Sequence, residues 1–328
     1  MESVIEGKKI VVTGGCGFIG SHVVEALWER NRVIVIDDLS SGDEANISSF
    51  DVEFHRRSIT EPLEELFAGA NLVFHLAASV SVARSVEDPR HDAEVNISST
   101  LNVLEAARRC GVSRVIYSSS AAVYGEPRAL PISESHPLRA ISPYGLSKLT
   151  GERYCSLYCS LYGLETVSLR YFNVYGPKQK ADNPYSGVIS IFVRNAIEGQ
   201  VSTIYGDGKQ TRDFVYVKDV VEANLLAASG GREILGHAFN VGTGMETSVN
   251  DLARFLGTEA VHGPPRPGDI RHSVADTRLA KEKLSFTART PLQEGLARYM
   301  DWYRAHTAPS LRFGNLREGQ PAEDTKKT

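Results

Sequence analysis

The glycine-rich stretch TGGCGFIG, residues 13–20, is the feature that most restricts how this chain can fold. It overlaps the apolar run KIVVTGG (9–15), which predicts a β-strand, and it leads into FIGSHVVEALWER (18–30), which predicts a helix. Its glycines follow GxxGxxG spacing: Gly14, Gly17 and Gly20. Glycines at these places permit a tight turn and bring the helix close to the strand. The stretch therefore predicts the strand–turn–helix unit that opens an α/β domain.

Strand and helix patterns continue to alternate through the first half of the chain. Four further apolar runs predict strands, at residues 32–38, 72–78, 114–120 and 165–172. Residues 95–111 have apolar side chains at helical spacing and end in a glycine. Continuous apolar strands separated by helices are typical of a parallel sheet covered on both faces. We therefore expect a doubly wound (Rossmann-like) α/β fold.

The sequence pattern changes after about residue 172. Segments 175–187 and 262–269 are rich in proline and glycine and predict loops, whereas 186–200 and 249–257 predict short helices. Residues 213–229 again have the pattern of a strand followed by a helix. We therefore expect two units and a disordered polar tail: a nucleotide-binding domain (1–172 plus about 213–240), a smaller α/β substrate-binding lobe (about 173–212 plus 241–310), and the tail (312–328).

Composition argues against several classes of protein. A net charge of −4 over 328 residues gives no reason to expect nucleic acid or an anionic membrane as a partner. No apolar run approaches the ~18 residues of a membrane span. The four cysteines show no CxxC spacing, so neither a zinc site nor a disulfide framework is predicted: Cys16, Cys110, Cys155 and Cys159. We expect a reduced, soluble, cytoplasmic protein without a metal.

An aspartate ends the second predicted strand. Asp37 closes VIVIDD, seventeen residues after Gly20. A carboxylate there accepts hydrogen bonds from the adenosine ribose hydroxyls of a dinucleotide and repels a 2′-phosphate. The glycine turn and the positive end of the following helix suit the diphosphate. Together these features favour NAD over NADP.

Tyr144 and Lys148 lie four residues apart in SPYGLSK (142–148), so a helix would bring their side chains together. Most such pairs in proteins are solvated surface residues, and the spacing alone predicts no chemistry. An ammonium beside a phenol, together with an oxidised nicotinamide, would favour the phenolate. We therefore expect the pKa of Tyr144 to fall from its ordinary value near ~10.

Seven motifs occur along the chain in a characteristic order: TGGCGFIGSH (13–22), HLAA (75–78), SSSAAVYG (118–125), SPYGLSK (142–148), RYFNVYGP (170–177), TRDFVYVKDV (211–220) and RPGD (266–269). In this order they resemble the extended short-chain dehydrogenase/reductase family, in particular its UDP-glucose 4-epimerase-like nucleotide-sugar enzymes. The resemblance covers about residues 8–305. It implies NAD-dependent inversion of the C4 hydroxyl of a UDP-hexose, UDP-galactose or UDP-glucose, through a transient 4-keto intermediate.

The resemblance also implies residue roles. Tyr144 is the general base, Lys148 is its partner, and Ser120 completes the hydrogen-bonded triad. The residues implied in cofactor binding are Gly14, Gly17, Phe18, Ile19, Gly20, Asp37, Ser58, Ile59, Leu76, Ala77, Ala78, Asn96, Ser118, Tyr144, Lys148 and Tyr171. Those implied in substrate binding are Ser120, Asn173, Tyr205, Arg212, Arg266 and Ser273. The two arginines suit a diphosphate because guanidinium offers a planar fork of donors, and Tyr205 is expected to lie against the uracil. His75 is predicted to be a buried structural histidine.

Two alanines follow the predicted catalytic serine. Dehydratases with the same fold carry an Asp–Glu pair directly after the residue equivalent to Ser120, and here Ala121 and Ala122 can transfer no proton. This favours epimerisation. The alternatives are another nucleotide-sugar epimerase, a dehydratase or a decarboxylase acting on UDP-glucuronate or a dTDP-sugar. A further alternative is an NAD-binding regulator without turnover, although such proteins typically lose the tyrosine or the lysine.

Two positions depart from the family pattern. Ser58 stands where many members have an aspartate that binds the adenine amino group, and the neighbouring Arg56 and Arg57 weaken the preference for NAD over NADP. Ser273 stands where some relatives have a tyrosine that closes the pocket around the C2 substituent. The smaller serine predicts that UDP-GlcNAc and UDP-GalNAc are also accepted. By resemblance, the helices at about 95–110 and 144–162 form the interface of a homodimer.

Overall fold

The computed structural model describes residues 5–181, 187–266 and 269–311, with side chains to residue 306. The predicted disordered tail, 312–328, lies outside the described residues, as do parts of both predicted Pro/Gly-rich loops. Seven strands form the main sheet: β1 (Lys9–Thr13), β2 (Arg32–Asp37), β3 (Glu53–Arg56), β4 (Leu72–His75), β5 (Arg114–Ser120), β6 (Glu165–Tyr171) and β11 (Ala238–Val241). Six short strands pair outside it: β7 (Asn173–Tyr175), β8 (Ser202–Tyr205), β9 (Thr211–Arg212), β10 (Phe214–Tyr216), β12 (Thr247–Ser248) and β13 (Ala260–Gly263).

Eleven α-helices are described: α1 (Phe18–Leu27), α2 (Glu64–Phe67), α3 (Val82–Glu87), α4 (Pro89–Ala93), α5 (Ser99–Arg109), α6 (Pro143–Tyr162), α7 (Val188–Glu198), α8 (Val217–Ser229), α9 (Val249–Leu256), α10 (Arg278–Leu284) and α11 (Leu292–Leu311). None of the helices in the described ranges is long and apolar enough to cross a bilayer.

The main sheet is entirely parallel, in the order β11-β6-β5-β4-β1-β2-β3. Alternate residues of its strands enter separate cores on the two faces: in β1, Val11 packs towards α2, α5 and α6, whereas Ile10 and Val12 pack towards α1 and α8. Burial on both faces explains why the strands are continuous apolar runs. The predicted doubly wound α/β fold is confirmed. The strand order reverses between β1 and β4, which is where such sheets bind ligands.

A third core forms a smaller lobe beside the sheet. Buried side chains of α7, α9 and α11 pack there with the short strands β8 and β10, around Phe192, Leu252 and Tyr299. α8 and β11 lie with the main sheet, although they follow this lobe's first elements in the chain.

The helix predicted over 95–111 begins differently from its sequence pattern. Residues Glu94–Ser98 form one wide π-helical turn before α5 starts at Ser99. The Ser99 hydroxyl donates to the Glu94 carbonyl at 3.0 Å and the Thr100 hydroxyl to the Asn96 carbonyl at 2.8 Å. Such turns often occur at functional sites, and this one places Asn96 against the loop that follows β4.

Candidate active site

The glycine turn lies at the carboxyl end of β1, beside the reversal of strand order. Gly14 has a φ of 72°, and a Cβ on it would lie 2.6 Å from the backbone nitrogen of Ala77. A Cβ on Gly20 would overlap the Gly14 carbonyl oxygen. Gly17 precedes α1, and no side chain in the described part of the chain caps that helix start. The first amides of α1 are therefore open to an anion such as a diphosphate.

The first two residues of α1 have two different environments. Their amides belong to the open helix start, whereas the side chains of Phe18 and Ile19 pack against the core of the smaller lobe. The first turn of α1 thus links the turn that suits a diphosphate to the lobe.

Asp37 ends β2 next to this turn. Its buried carboxylate accepts hydrogen bonds from the backbone amides of Cys16 and Leu39, both at 2.9 Å. Burial raises the pKa of Asp37 above its ordinary value, and the two amides oppose that rise. An open helix start and a fixed carboxylate one strand away fit the diphosphate and ribose of NAD.

The adenine end of the predicted site is formed after β3. The Ser58 hydroxyl forms a hydrogen bond with the Thr60 hydroxyl at 2.9 Å, and the amide of Ser58 donates to Glu61. Ile59 is buried. The Ser58 hydroxyl is thus shared with a neighbouring side chain, unlike a carboxylate, which would offer several free acceptor positions.

His75 orders the loop after β4 without being placed for proton transfer. Thr100 donates to a carbonyl, so its hydroxyl accepts from Nε2 of His75 at 3.0 Å, and Nδ1 accepts from Thr13 at 2.8 Å. Thr13 in turn accepts from the Ala77 amide at 3.3 Å. Burial lowers the pKa of His75 to about 3, so the imidazole is neutral at physiological pH. These bonds fix the course of residues 76–78.

Asn96 holds the next part of the same loop. Its side chain accepts from the Ser79 amide and donates to the Ser79 carbonyl, both at 2.9 Å. It also donates to the buried carboxylate of Asp92 at 2.9 Å. The hydrogen-bonding groups of Asn96 are therefore occupied within the protein. These bonds order the loop that contains Leu76, Ala77 and Ala78.

The local sequence fixes the start of α6 and thereby Tyr144. Ser142 caps the helix by accepting from the Gly145 amide at 3.1 Å, and Pro143 occupies the first helical position. The Tyr144 amide donates to the hydroxyl of Ser85 on α3 at 3.1 Å. Lys148 follows one turn later, so both functional groups point from a rigid helix towards the end of β5.

Tyr144 and Ser120 are in direct contact. The Ser120 hydroxyl and the Tyr144 phenol share a hydrogen bond that lowers the phenol pKa, but burial outweighs it and raises that pKa to about 12. The nearby carboxylate of Asp92 adds to the rise. The fall expected from the sequence included the charge of an oxidised nicotinamide, and in the protein alone burial is the larger effect.

Lys148 is almost completely buried, with 3% of its surface exposed. Its ammonium donates to the Ser118 carbonyl at 2.9 Å and lies 5.2 Å from the ring centroid of Tyr117. Burial lowers the Lys148 pKa to about 8, and the carboxylate of Asp92 opposes that fall. Burial therefore weakens the hold of Lys148 on its proton, close to the nicotinamide end of the predicted cofactor site.

Ser118 also contacts Tyr171 on the neighbouring strand. The Tyr171 phenol forms hydrogen bonds with both side-chain ends of Asn224 on α8, at 3.0 and 2.8 Å, and with the Ser118 side chain. The hydroxyl of Tyr171 is thus committed within the protein.

A buried ion pair supports the catalytic strand from the side of α6. Glu152 and Arg170 form two hydrogen bonds, at 2.8 and 2.7 Å, and both residues are buried. Ser119 donates to the same carboxylate at 2.5 Å. Because Ser119 lies between Ser118 and Ser120, this pair fixes the segment that carries the Lys148 acceptor and the Tyr144 partner.

Four of the six predicted substrate residues, Asn173, Tyr205, Arg212 and Arg266, line one cavity of about 200 Å³ at the face of the lobe, together with Gln210 and Asp269 among others. Ser120 and Ser273 are not among its lining residues. Burial lowers the pKa of Arg212, and Asp269 opposes the change. The Arg266 guanidinium lies 3.7 Å from the ring centroid of Tyr205. One face of that ring is therefore covered by Arg266, and a uracil would have to contact its other face or its edge.

Asp213 fastens the substrate side of the site. Its fully buried carboxylate accepts from the amides of Thr243, Gly244 and Ala275 and from the Thr243 hydroxyl, at 2.6–3.1 Å. This connects Arg212, the preceding residue, with the segment between His272 and Ala275 that carries Ser273. The Ser273 amide donates to the Thr211 carbonyl at 3.2 Å.

Four important residues were missed from the sequence. Glu152 lies one helical turn after Lys148, so its spacing could have indicated that it faces the same strand. Asp213 follows Arg212 within a quoted motif and could have been noted. Asp92 lies four residues before Asn96, so its helical spacing could also have been noted. Arg170 gave no comparable signal, because its partner Glu152 is distant in sequence.

The described residues contain no cluster of His, Cys, Asp or Glu side chains that could hold a metal.

Comparison with known proteins agrees with a dinucleotide site. The family model "NAD dependent epimerase/dehydratase family" matches residues 10–242. The UDP-glucose 4-epimerase of Mycolicibacterium smegmatis is 41% identical over 311 residues, covering 90% of this chain and 98% of that protein.

Solved structures extend the likeness to nearly the whole chain. UDP-glucose 4-epimerase of Thermotoga maritima with UDP-glucose is 42% identical, with a TM-score of 0.87, covering 91% of this chain and 99% of that one. UDP-N-acetylglucosamine 4-epimerase of Methanobrevibacter ruminantium, in complex with UDP-N-acetylmuramic acid, is 37% identical with a TM-score of 0.89. The match covers 92% of this chain and 100% of that one. Similar proteins also include an NAD complex of the Thermus thermophilus epimerase and a UDP-glucuronic acid decarboxylase of Arabidopsis thaliana. The similarity therefore covers enzymes of more than one reaction type.

The depressed pKa of Lys148 leads to a prediction about stability and pH. Its folded pKa of about 8 lies below the ordinary value near ~10.4, so between these pH values the unfolded chain binds a proton that the folded chain has released. The Lys148 contribution to the free energy of unfolding should therefore increase by about 3 kcal/mol from pH ~8 to ~10. Lys148→Met should lack this increase. Urea unfolding of both proteins across this range measures the difference, and parallel pH profiles would contradict it.

Proposed function

The chain belongs to the NAD dependent epimerase/dehydratase family, and we propose that within it the protein inverts the C4 hydroxyl of a UDP-hexose. UDP-galactose and UDP-glucose are the proposed pair of substrates. The observation that carries this proposal is the Tyr144–Ser120 contact at the end of β5, followed directly by Ala121 and Ala122. This arrangement supports removal and return of one hydroxyl proton, and the two alanines add no acid or base for elimination.

NAD, the cofactor of this family, supplies the hydride acceptor and donor when it is bound. The protein's own residues handle the proton. Tyr144 takes the proton of the C4 hydroxyl and later returns it, while Ser120 holds the reacting oxygen through its hydroxyl. The positive charge of the Lys148 ammonium, whose pKa is about 8, stabilises the nearby phenolate in this buried site.

Epimerisation requires the 4-keto sugar to present its opposite face, so the anchor must lie away from the pivoting ring. Arg212 and Arg266, in the lobe cavity with Asn173, suit the diphosphate. Asp213 and its four hydrogen bonds keep the Arg212 backbone fixed while the sugar turns. An anchored diphosphate and a loosely held sugar are the combination that this reaction needs.

The reaction is tested with purified protein and a panel of nucleotide sugars. Denaturation should release NAD⁺ or NADH, and addition of UDP-galactose should yield UDP-glucose without added cofactor. UDP-glucuronate and dTDP-glucose belong in the same panel, because decarboxylases and dehydratases are among the similar proteins. Conversion of one of these sugars, with UDP-galactose inert, would replace the proposal with the corresponding reaction.

Tyr144→Phe tests the assigned base. The phenylalanine ring fills the same buried space but carries no hydroxyl, so kcat should fall by about 1,000-fold. The NAD content of the protein should stay unchanged, which separates loss of chemistry from loss of cofactor. Turnover close to that of the unmodified protein would refute the role of Tyr144.

We also propose that UDP-GlcNAc and UDP-GalNAc are substrates. Ser273 is buried beside β9, the strand of Arg212, and its side chain is much smaller than that of a tyrosine. An N-acetyl group at C2 needs that space. The similarity to a UDP-N-acetylglucosamine 4-epimerase gives this proposal additional support.

Ser273→Tyr should close the pocket to N-acetylated sugars. We expect turnover of UDP-GlcNAc to fall by about 100-fold, whereas kcat/KM for UDP-galactose should change little. Ser273→Ala is the matched control and should keep both activities. If the unmodified protein epimerises UDP-galactose but not UDP-GlcNAc, the proposed N-acetylhexosamine activity is wrong.

The protein is further proposed to be a homodimer through α6. Leu146, Leu157 and Leu161 are each about half or more exposed and lie within one helical stripe. The double variant Leu157→Glu/Leu161→Glu should be monomeric in light scattering after gel filtration. Phe255→Glu, at an exposed apolar position on α9, is the control and should stay dimeric. A monomeric unmodified protein would contradict this interface.

A further inference from the structure

A short turn after β7 reaches from the lobe side to the cofactor side of the molecule. We call residues Gly176–Gln179 the latch turn. Within it, the Pro177 carbonyl lies 3.0 Å from Nε2 of the buried His22 on α1. His22 is one turn beyond the open start of that helix, so the latch turn lies close to the glycine turn.

Lys178 is the residue of the latch turn with the most unusual environment. Its φ of 68° lies in the left-handed region, which is unfavourable for a residue with a Cβ. Its half-buried ammonium donates to the Asn46 carbonyl at 2.9 Å and lies 5.3 Å from the ring centroid of Phe50. Both of these side-chain partners are uncharged. The backbone of Lys178 is strained, and strained residues are often found at functional positions.

The partner of Lys178 is connected to the glycine turn. The side chain of Asn46 donates to the Cys16 carbonyl at 2.9 Å, and the Asp43 amide donates to the same oxygen at 3.0 Å. The amide of Cys16 donates to Asp37, the carboxylate proposed for the ribose. A continuous series of hydrogen bonds therefore runs from Lys178 through Asn46 and Cys16 to Asp37.

We propose that Lys178 is a positioning residue for the cofactor: it fixes residues 43–50 against the glycine turn and thereby slows the release of NAD. The latch turn would then have to give way when the dinucleotide leaves. This inference rests on the family's use of NAD and is independent of which sugar reacts. Its test needs no sugar, so its failure is distinguishable from a failure of the proposed reaction.

The test compares NAD release from the full-length protein and its variants. Lys178→Met keeps most of the aliphatic chain but removes the ammonium. We expect NAD to dissociate about tenfold faster, because a charged hydrogen bond that holds the loop is lost. Lys178→Arg keeps a positive charge and should release NAD as slowly as the unmodified protein. Lys281→Met, at an exposed position on α10, is the matched control and should leave the rate unchanged.

A second variant tests the connection itself. Asn46→Ala keeps the backbone carbonyl that accepts from Lys178 but removes the bond to Cys16. It should accelerate NAD release, and adding Lys178→Met should then have little further effect, because coupled residues are not additive. Trp28 stacks on Phe50 with ring centroids 5.7 Å apart, so its fluorescence reports on residues 43–50 in each variant.

Three results of the release measurements would overturn the proposal. The first is release of NAD from Lys178→Met at the rate of the unmodified protein. The second is release from Lys178→Arg as fast as from Lys178→Met, and the third is additive effects of the Asn46 and Lys178 variants. Urea unfolding of each variant without NAD shows whether folding is impaired. Faster release with a matching loss of folding stability would indicate a general structural role and would also overturn it.

Discussion

The close approach of α6 to β5 is the contact on which the site depends. Gly151 lies directly against the Tyr117 hydroxyl, where any larger side chain would collide, and the Glu152–Arg170 pair is buried one residue further on. A buried ion pair is a weak source of net stability, because desolvation offsets the attraction. Here the pair holds a helix and two strands in one register. That register sets the positions of Tyr144 and Lys148 relative to the end of β5.

Burial at this interface works against the charges that the chemistry needs. The same low-dielectric surroundings raise the Tyr144 pKa to about 12 and lower the Lys148 pKa to about 8. The protein alone therefore favours a neutral phenol, and positive charge close to the phenol would shift the balance towards the phenolate. Asp92 favours the protonated lysine but opposes the phenolate, so its effect on the pair is divided.

Much of the fold was predictable because its signals are local. The continuous apolar strands, the glycine turn and the Ser142–Pro143 helix start each lie within a few residues of sequence. The wide turn before α5 was not predictable, because Asn96 is drawn to Ser79 by a contact across seventeen residues. The fall expected for the Tyr144 pKa included the charge of an oxidised nicotinamide, and the opposing effect of burial was not foreseen, because spacing indicates which groups are neighbours but not how deeply they are buried.

The sheet edge at the end of β5 and the cavity of the smaller lobe differ in how readily their residues can change. The sheet edge holds the proposed proton-transfer residues among buried, hydrogen-bonded neighbours, where a small displacement alters several contacts at once. The lobe carries Tyr205 and Arg266 on a short strand and a loop around a cavity, and Asp213 bonds the neighbouring backbone segments at Thr243 and Ala275. Changes there alter what is bound without disturbing the end of β5. This division explains how similar folds in one family can act on different nucleotide sugars while using the same NAD chemistry.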